Sequence, residues 1–110
     1  MGHVHLDPLD VSRLVMSGEV DVHAVDDFSR AHGGGRFGSP TTGLRAVLRE
    51  VDEVDMHGVT FLDSTAVSLL VGAARAVPSR RLRLSGLCGH PASALELMGI
   101  AALFDRSDVG

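Results

Sequence analysis

The chain has 110 residues, a formal net charge of −4, 45% hydrophobic residues and one cysteine. That length suits one domain, residues 1–110, that buries roughly two-thirds of its unfolded surface. No apolar run approaches the ~20 residues of a membrane helix, and a single Cys88 excludes an internal disulfide and suits a reducing, cytoplasmic setting. The acidic balance excludes a nucleic-acid partner, which would need clustered cations; the one basic cluster, Arg80, Arg81 and Arg83, reads as a solvated strand end.

In chain order, His3–Leu6 alternate as a first edge strand, and Asp7-Pro8 marks a turn. Ser12–Ser17 predict a second strand with Leu14 and Met16 on one face, closed by Gly18-Glu19-Val20-Asp21. Ala24–Ala31 predict a short helix with Val25, Phe28 and Ala31 inward. Gly33–Pro40 is rich in Gly and reads as a flexible insertion, and Leu44, Val47, Leu48 and Val51 resume helical spacing after it. A phosphate-cradling loop would end in Gly-Lys-Ser/Thr, and this chain contains no lysine.

The next strand is predicted over Val51–Met56, with a start near Ala46 as the alternative, and Gly58 is expected to turn the chain. The central stretch is Val59–Pro78, VTFLDSTAVSLLVGAARAVP. An apolar strand end stops at Asp63, a strong helix N-cap, because its carboxylate accepts amide protons that a first turn leaves unpaired. Val67, Leu70, Val71 and Ala74 fall at core-facing spacing, and Ser64, Ser68, Gly72 and Arg75 share the opposite stripe. Leu82–Leu84 predict a further strand ended by Gly86. Pro91 fits a first helical position, Leu95 and Met98 face inward, and Gly99 stops that helix before a last short element over Ile100–Phe104. Strands alternating with helices predict an α/β domain with a parallel or mixed sheet.

Six histidines raise a metal hypothesis, but none lies at ligand spacing with a Cys or carboxylate, so no metal and no cofactor are expected. Ser64 as a nucleophile would need glycines two residues to either side; Leu62 and Ala66 stand there, so an enzyme is not expected. Ser64 as a phosphate acceptor has better chemistry, since free amides and the helix dipole stabilise a phosphate at a helix N-terminus.

Three stretches in order resemble the STAS domain, and among its members the bacterial anti-sigma factor antagonists. Leu14–Asp21 resembles the family's second strand with its Gly-Glu-Leu/Ile-Asp ending. Asp55–Ala66 resembles its Asp-Leu-Ser-Gly-Val-x-Phe-hydrophobic-Asp-Ser-Ser/Thr-Gly signature, and Leu95-x-x-Met98-Gly99-Ile100 with Phe104 resembles its helix ending. The resemblance implies a mixed sheet of four or five strands with helices packed against it. It also implies a phosphoprotein of transcription regulation that works by partner switching. An anti-sigma factor with serine kinase activity would be bound and its sigma factor released; that kinase would phosphorylate Ser64 (Thr65 as second choice), and a phosphatase would restore it. Asp21, Asp63, Ser64, Thr65, Ser68 and Gly72 are the expected partner-binding residues, with no nucleic acid and no membrane involved. Ala66 and the Gly33–Pro40 insertion depart from the family pattern. The second reading is an unphosphorylated STAS subunit of a lipid-transport ATPase complex; Asp63 followed by Ser64 favours the first.

Overall fold

The computed structural model describes residues 2–32 and 42–107. In order, β1 (His3–Asp7), β2 (Asp10–Val20), α1 (Val22–Ala31), α2 (Thr42–Arg49) and β3 (Glu53–Leu62) lead to α3 (Ser64–Ala76), then β4 (Leu82–Ser85), α4 (Gly89–Leu97) and β5 (Phe104–Ser107). The strands form one mixed sheet in the order β1-β2-β3-β4-β5. β1 runs antiparallel to β2 and every other neighbouring pair is parallel. Parallel strands need crossovers, and each of the three parallel steps is bridged by helix.

One face of the sheet carries Leu14 and Met16 of β2, Val54 and Met56 of β3, and Leu82 and Leu84 of β4. These residues join Val25, Phe28, Leu44, Leu70 and Leu95 of the helices in a single core. Alternation puts Arg13, Glu53, Asp55 and Arg83 on the opposite face, where charges of neighbouring strands pair. Arg13 meets Asp55 at 2.7 Å, Arg83 meets Glu53 at 3.4 Å, and the Ser85 hydroxyl donates to Glu53 at 3.2 Å. This explains how a strand as acidic as β3 is tolerated: its carboxylates face arginines of β2 and β4 rather than one another. Asp52, just before the strand, pairs with Arg80 at 3.0 Å.

Several boundaries differ from expectation. β2 runs on to Val20 instead of closing at Gly18, because Gly18 takes φ 71° and absorbs a register shift against β3. Gly58 likewise lies inside β3, opposite Ser17, and does not turn the chain. β3 starts at Glu53, and the alternative start near Ala46 falls in α2. Pro91 is the third residue of α4, not the first. The end of α4 is as expected: Gly99, at φ 70°, donates to the Glu96 carbonyl and Ile100 donates to that of Leu95, a Schellman ending. Met98 and Ala31, expected inward, are exposed: Ala31 is the last residue of α1 and Met98 caps α4 just beyond its end. The insertion expected at Gly33–Pro40 lies outside the described residues.

Candidate functional site

Three parallel strands end on the same side of the sheet, and the helices α1, α3 and α4 start there. The ends of β2 and β3 are stapled together by the Asp63 amide, which donates to the Val20 carbonyl at 3.2 Å. That bond puts Asp63 beside the residue that precedes Asp21, so two aspartates 42 positions apart in sequence occupy one edge.

Both aspartates cap helices. Asp63, in extended backbone, accepts from the Ala66 amide at 2.9 Å. Asp21 accepts from the His23 and Ala24 amides at 3.1 Å each. The Ala24 bond, seconded by His23, holds the Asp21 carboxyl below the usual carboxylate range although partial desolvation opposes it. The third helix start differs: Cys88 takes the cap position of α4 and makes no side-chain cap bond.

Ser64 opens α3 and is exposed, and Thr65 behind it is half-buried. The Ser68 hydroxyl turns back to the Ser64 carbonyl at 2.9 Å, satisfying itself within the helix. Gly72, one turn further, is exposed, and a methyl group there would meet nothing within 4 Å. The outer stripe of Ser64, Ser68, Gly72 and Arg75 is therefore open along its length, as the spacing predicted. On the inner side Val67, Leu70 and Ala74 are buried, joined by Ala66, Leu69 and Ala73. Ala66 is wholly buried, so the methyl at this position, where the resembled signature has glycine, lies in the core. Six sequence-expected residues thus gather on this edge and stripe: Asp21, Asp63, Ser64, Thr65, Ser68 and Gly72.

Sequence reasoning passed over two side chains here. Phe61 stands 41% exposed with the His90 ring lying flat on it, centroids 4.9 Å apart and planes 1° from parallel. A usable signal was present: adjacent strand residues point to opposite faces, so Phe61 and Leu62 cannot both be core, and Leu62 is the buried one. His57 is the other. Its ring nitrogen Nδ1 lies 2.6 Å from Asp55, and its amide donates to the same carboxylate at 3.0 Å. Burial pushes the Asp55 carboxyl up, but the His57 amide and ring and the Arg13 guanidinium outweigh it and leave Asp55 below the usual range. Among the described residues no group of three or more His, Cys, Asp and Glu could hold a metal ion. No described helix is long and apolar enough to cross a membrane.

No protein-family model matches the chain, and no curated protein sequence does. Among solved structures, the anti-sigma factor antagonist SpoIIAA in its unphosphorylated form matches with a TM-score of 0.61 and 18% identity. The match covers 97% of this chain and 89% of that chain. At this identity the likeness is one of fold, and it spans the whole five-stranded sheet with its helices. It gives this chain the fold of SpoIIAA, one five-stranded mixed sheet with helices packed against it.

Proposed function

We propose that this chain is an anti-sigma factor antagonist, a binding module switched by phosphorylation at Ser64. Unphosphorylated, it binds an anti-sigma factor with serine kinase activity through Asp21, Asp63, Ser64, Thr65, Ser68 and Gly72, and the sigma factor is released. The kinase then esterifies the Ser64 hydroxyl, the complex dissociates, and a phosphatase restores the free serine. The chain itself contributes no catalysis, holds no cofactor and acts in the cytoplasm, without contact to nucleic acid or membrane. The whole of residues 1–110 acts as one domain.

The observation that carries this reading is the exposure of Ser64 at the first turn of α3, beside an outer stripe whose next two members, Ser68 and Gly72, are small. The hydroxyl is free for an attacking geometry, and a flat, low-relief helix lies next to it for docking. A phosphate there gains from the helix dipole but adds roughly −1.5 to −2 charges next to the Asp63 carboxylate. The fold of SpoIIAA, an anti-sigma factor antagonist solved in an unphosphorylated form, supports the same role.

The test is phosphorylation by the candidate kinase with ATP, followed by peptide mass mapping of wild type, Ser64→Ala and Thr65→Ala. Label on Ser64, lost in Ser64→Ala and kept in Thr65→Ala, is the expected result. Equal labelling of Ser64→Ala moves the acceptor to Thr65 or another hydroxyl. Absence of labelling, with tight binding to a transporter subunit, replaces this reading by the lipid-transport one.

A further inference from the structure

The three segments that meet at the Ser64 end of the sheet, residues 17–24, 59–66 and 86–92, contain Glu19, Asp21 and Asp63 but no arginine or lysine. Asp21 and Asp63 are engaged by helix amides. Glu19 is exposed, and among the described residues nothing pairs with its carboxylate. Its register partner across the sheet is Phe61, and paired residues of neighbouring strands project to the same side, about 5 Å apart.

Phe61 is backed by His90, and the turn that leads into the His90 helix is held from below. That turn lies at Gly86, and Gly86 sits so close on the His57 ring that a Cβ would come within 2.4 Å of it. His57 is in turn bound by Asp55, and Asp55 by Arg13 at 2.7 Å. The stack is thus an aromatic platform on an anchored turn, beside a carboxylate that no described residue pairs with.

That combination suits one kind of group. The face of an aromatic ring attracts a cation, and a planar guanidinium can lie along the ring while donating to a carboxylate at its edge. The compact, strongly hydrated ammonium of lysine matches this pair of demands less well. We propose that Glu19 and the Phe61–His90 stack receive an arginine side chain of the partner protein. That this arginine belongs to a docking partner rests on the binding-module reading of Ser64. Charge supports the choice: the three segments carry three carboxylates and no arginine or lysine, and Arg106, a guanidinium of this chain that reaches them, is already engaged by the Leu87 carbonyl at 2.8 Å.

The test is a nitrogen–proton NMR titration of the full chain with Nα-acetyl-arginine amide, with Nα-acetyl-citrulline amide as the uncharged match. Saturable shifts centred on Glu19, Phe61 and His90 are expected with the arginine compound, and weaker ones with citrulline. Phe61→Ala and Glu19→Gln should each weaken binding about two- to fivefold. Equal response to citrulline, unchanged affinity in both variants, or shifts centred elsewhere would overturn the proposal. Glu19→Gln alters an exposed position and keeps the test decisive should Phe61→Ala not fold. No partner or phosphate enters the titration, so its outcome is independent of whether Ser64 is the switch.

Discussion

On the inner side of α3, Ala66, Leu70 and Ala73 lose all exposure to the sheet and neighbouring helices, whereas on the outer side Ser64, Ser68, Gly72 and Arg75 stay exposed. Both sides are made largely of small residues, so polarity alone does not separate them. What separates them is what a side chain meets: tight packing inside, and at Gly72 nothing within 4 Å. A glycine in the middle of a helix costs about 1 kcal/mol relative to alanine, and among the described residues a Cβ at this one would meet nothing that offsets the cost. A position that weakens the helix and leaves open space beside it among the described residues suits a surface that another molecule approaches closely. The exposed end of α4 is a contrast of another kind, since Leu97 and Met98 there are large and protrude.

The sharpest break between the two sides of α3 is in stability. Leu70→Ala removes a fully buried side chain and should destabilise the fold by about 2–5 kcal/mol, read as a lower denaturant midpoint at unchanged slope. A loss below about 1 kcal/mol would mean that the inner side is not closely packed.

Next in size is Ser64→Glu, which should act chiefly on binding. New negative charge about 6 Å from the Asp63 carboxylate is repelled by roughly 3 kcal/mol at an effective dielectric of about 20, before salt screening. The helix dipole returns only about 0.3–1 kcal/mol. Even half of the repulsion exceeds that, and bulk in a close contact adds to it. A docked partner removes the solvent that screens this charge pair in the free protein, so partner affinity should fall at least about tenfold, the equivalent of ~1.4 kcal/mol, while the solvated pair lowers the melting temperature only slightly. Isothermal titration against the anti-sigma partner checks this, and wild-type affinity in Ser64→Glu would end the switch reading.

Much of the fold was legible because the spacing of apolar residues matches the elements. Leu14 with Met16 and Val67 with Leu70 show the spacings of two and three that strand and helix impose, and all four are buried. The Asp63 cap was legible for a local reason: a carboxylate capping its own helix needs only neighbours in sequence. What was not legible depends on partners far along the chain. Gly58 looked like a turn, and only the register with Ser17 shows it inside a strand. Glu53 and Asp55 looked wrong for a strand until Arg13 and Arg83 came alongside. The placing of Asp21 beside Asp63 rests on a backbone bond from Asp63 to Val20, which no local pattern announces; the family resemblance supplied it. The Phe61–His90 stack joins residues 29 apart, and no pattern in either segment announces it.

The helix starts give a third and smaller test. Asp63→Ala removes the cap bond to Ala66 and should cost about 1 kcal/mol of stability, between the effects on the two sides of α3. Asp63→Asn, which keeps an acceptor, should recover most of it. Acid should loosen the start of α1 in the same manner. The Asp21 carboxyl is held below its usual range chiefly by the Ala24 amide, so its folded value is depressed. Its contribution is present above the unfolded carboxylate value of about 3.9 and is lost as pH falls through the folded value. Hydrogen exchange at the Ala24 amide should therefore speed up, relative to its neighbours, only in that acid window. An Ala24 amide equally protected at pH 2 and pH 6 would show that the cap bond is not ionic.

The smallest expected stability effect is also the one that best separates the two sides of α3, because its sign differs between folding and binding. Gly72→Arg places a side chain where a Cβ meets nothing within 4 Å, so no clash opposes it. Arginine is among the better helix formers, and glycine lies about 0.8–1 kcal/mol below alanine. Folding should therefore gain a fraction of 1 kcal/mol, seen as a rise in melting temperature of a few degrees. The same side chain extends across the outer stripe, one turn beyond Ser68, and fills the space that a docking partner would use. Partner affinity should fall while stability rises, with no change in the chemistry at Ser64 itself. If Gly72→Arg instead destabilises the fold, the outer side is packed after all. If it is stable and binds the partner as wild type does, the docking surface does not extend along α3 and is confined to the helix start and the neighbouring strand ends.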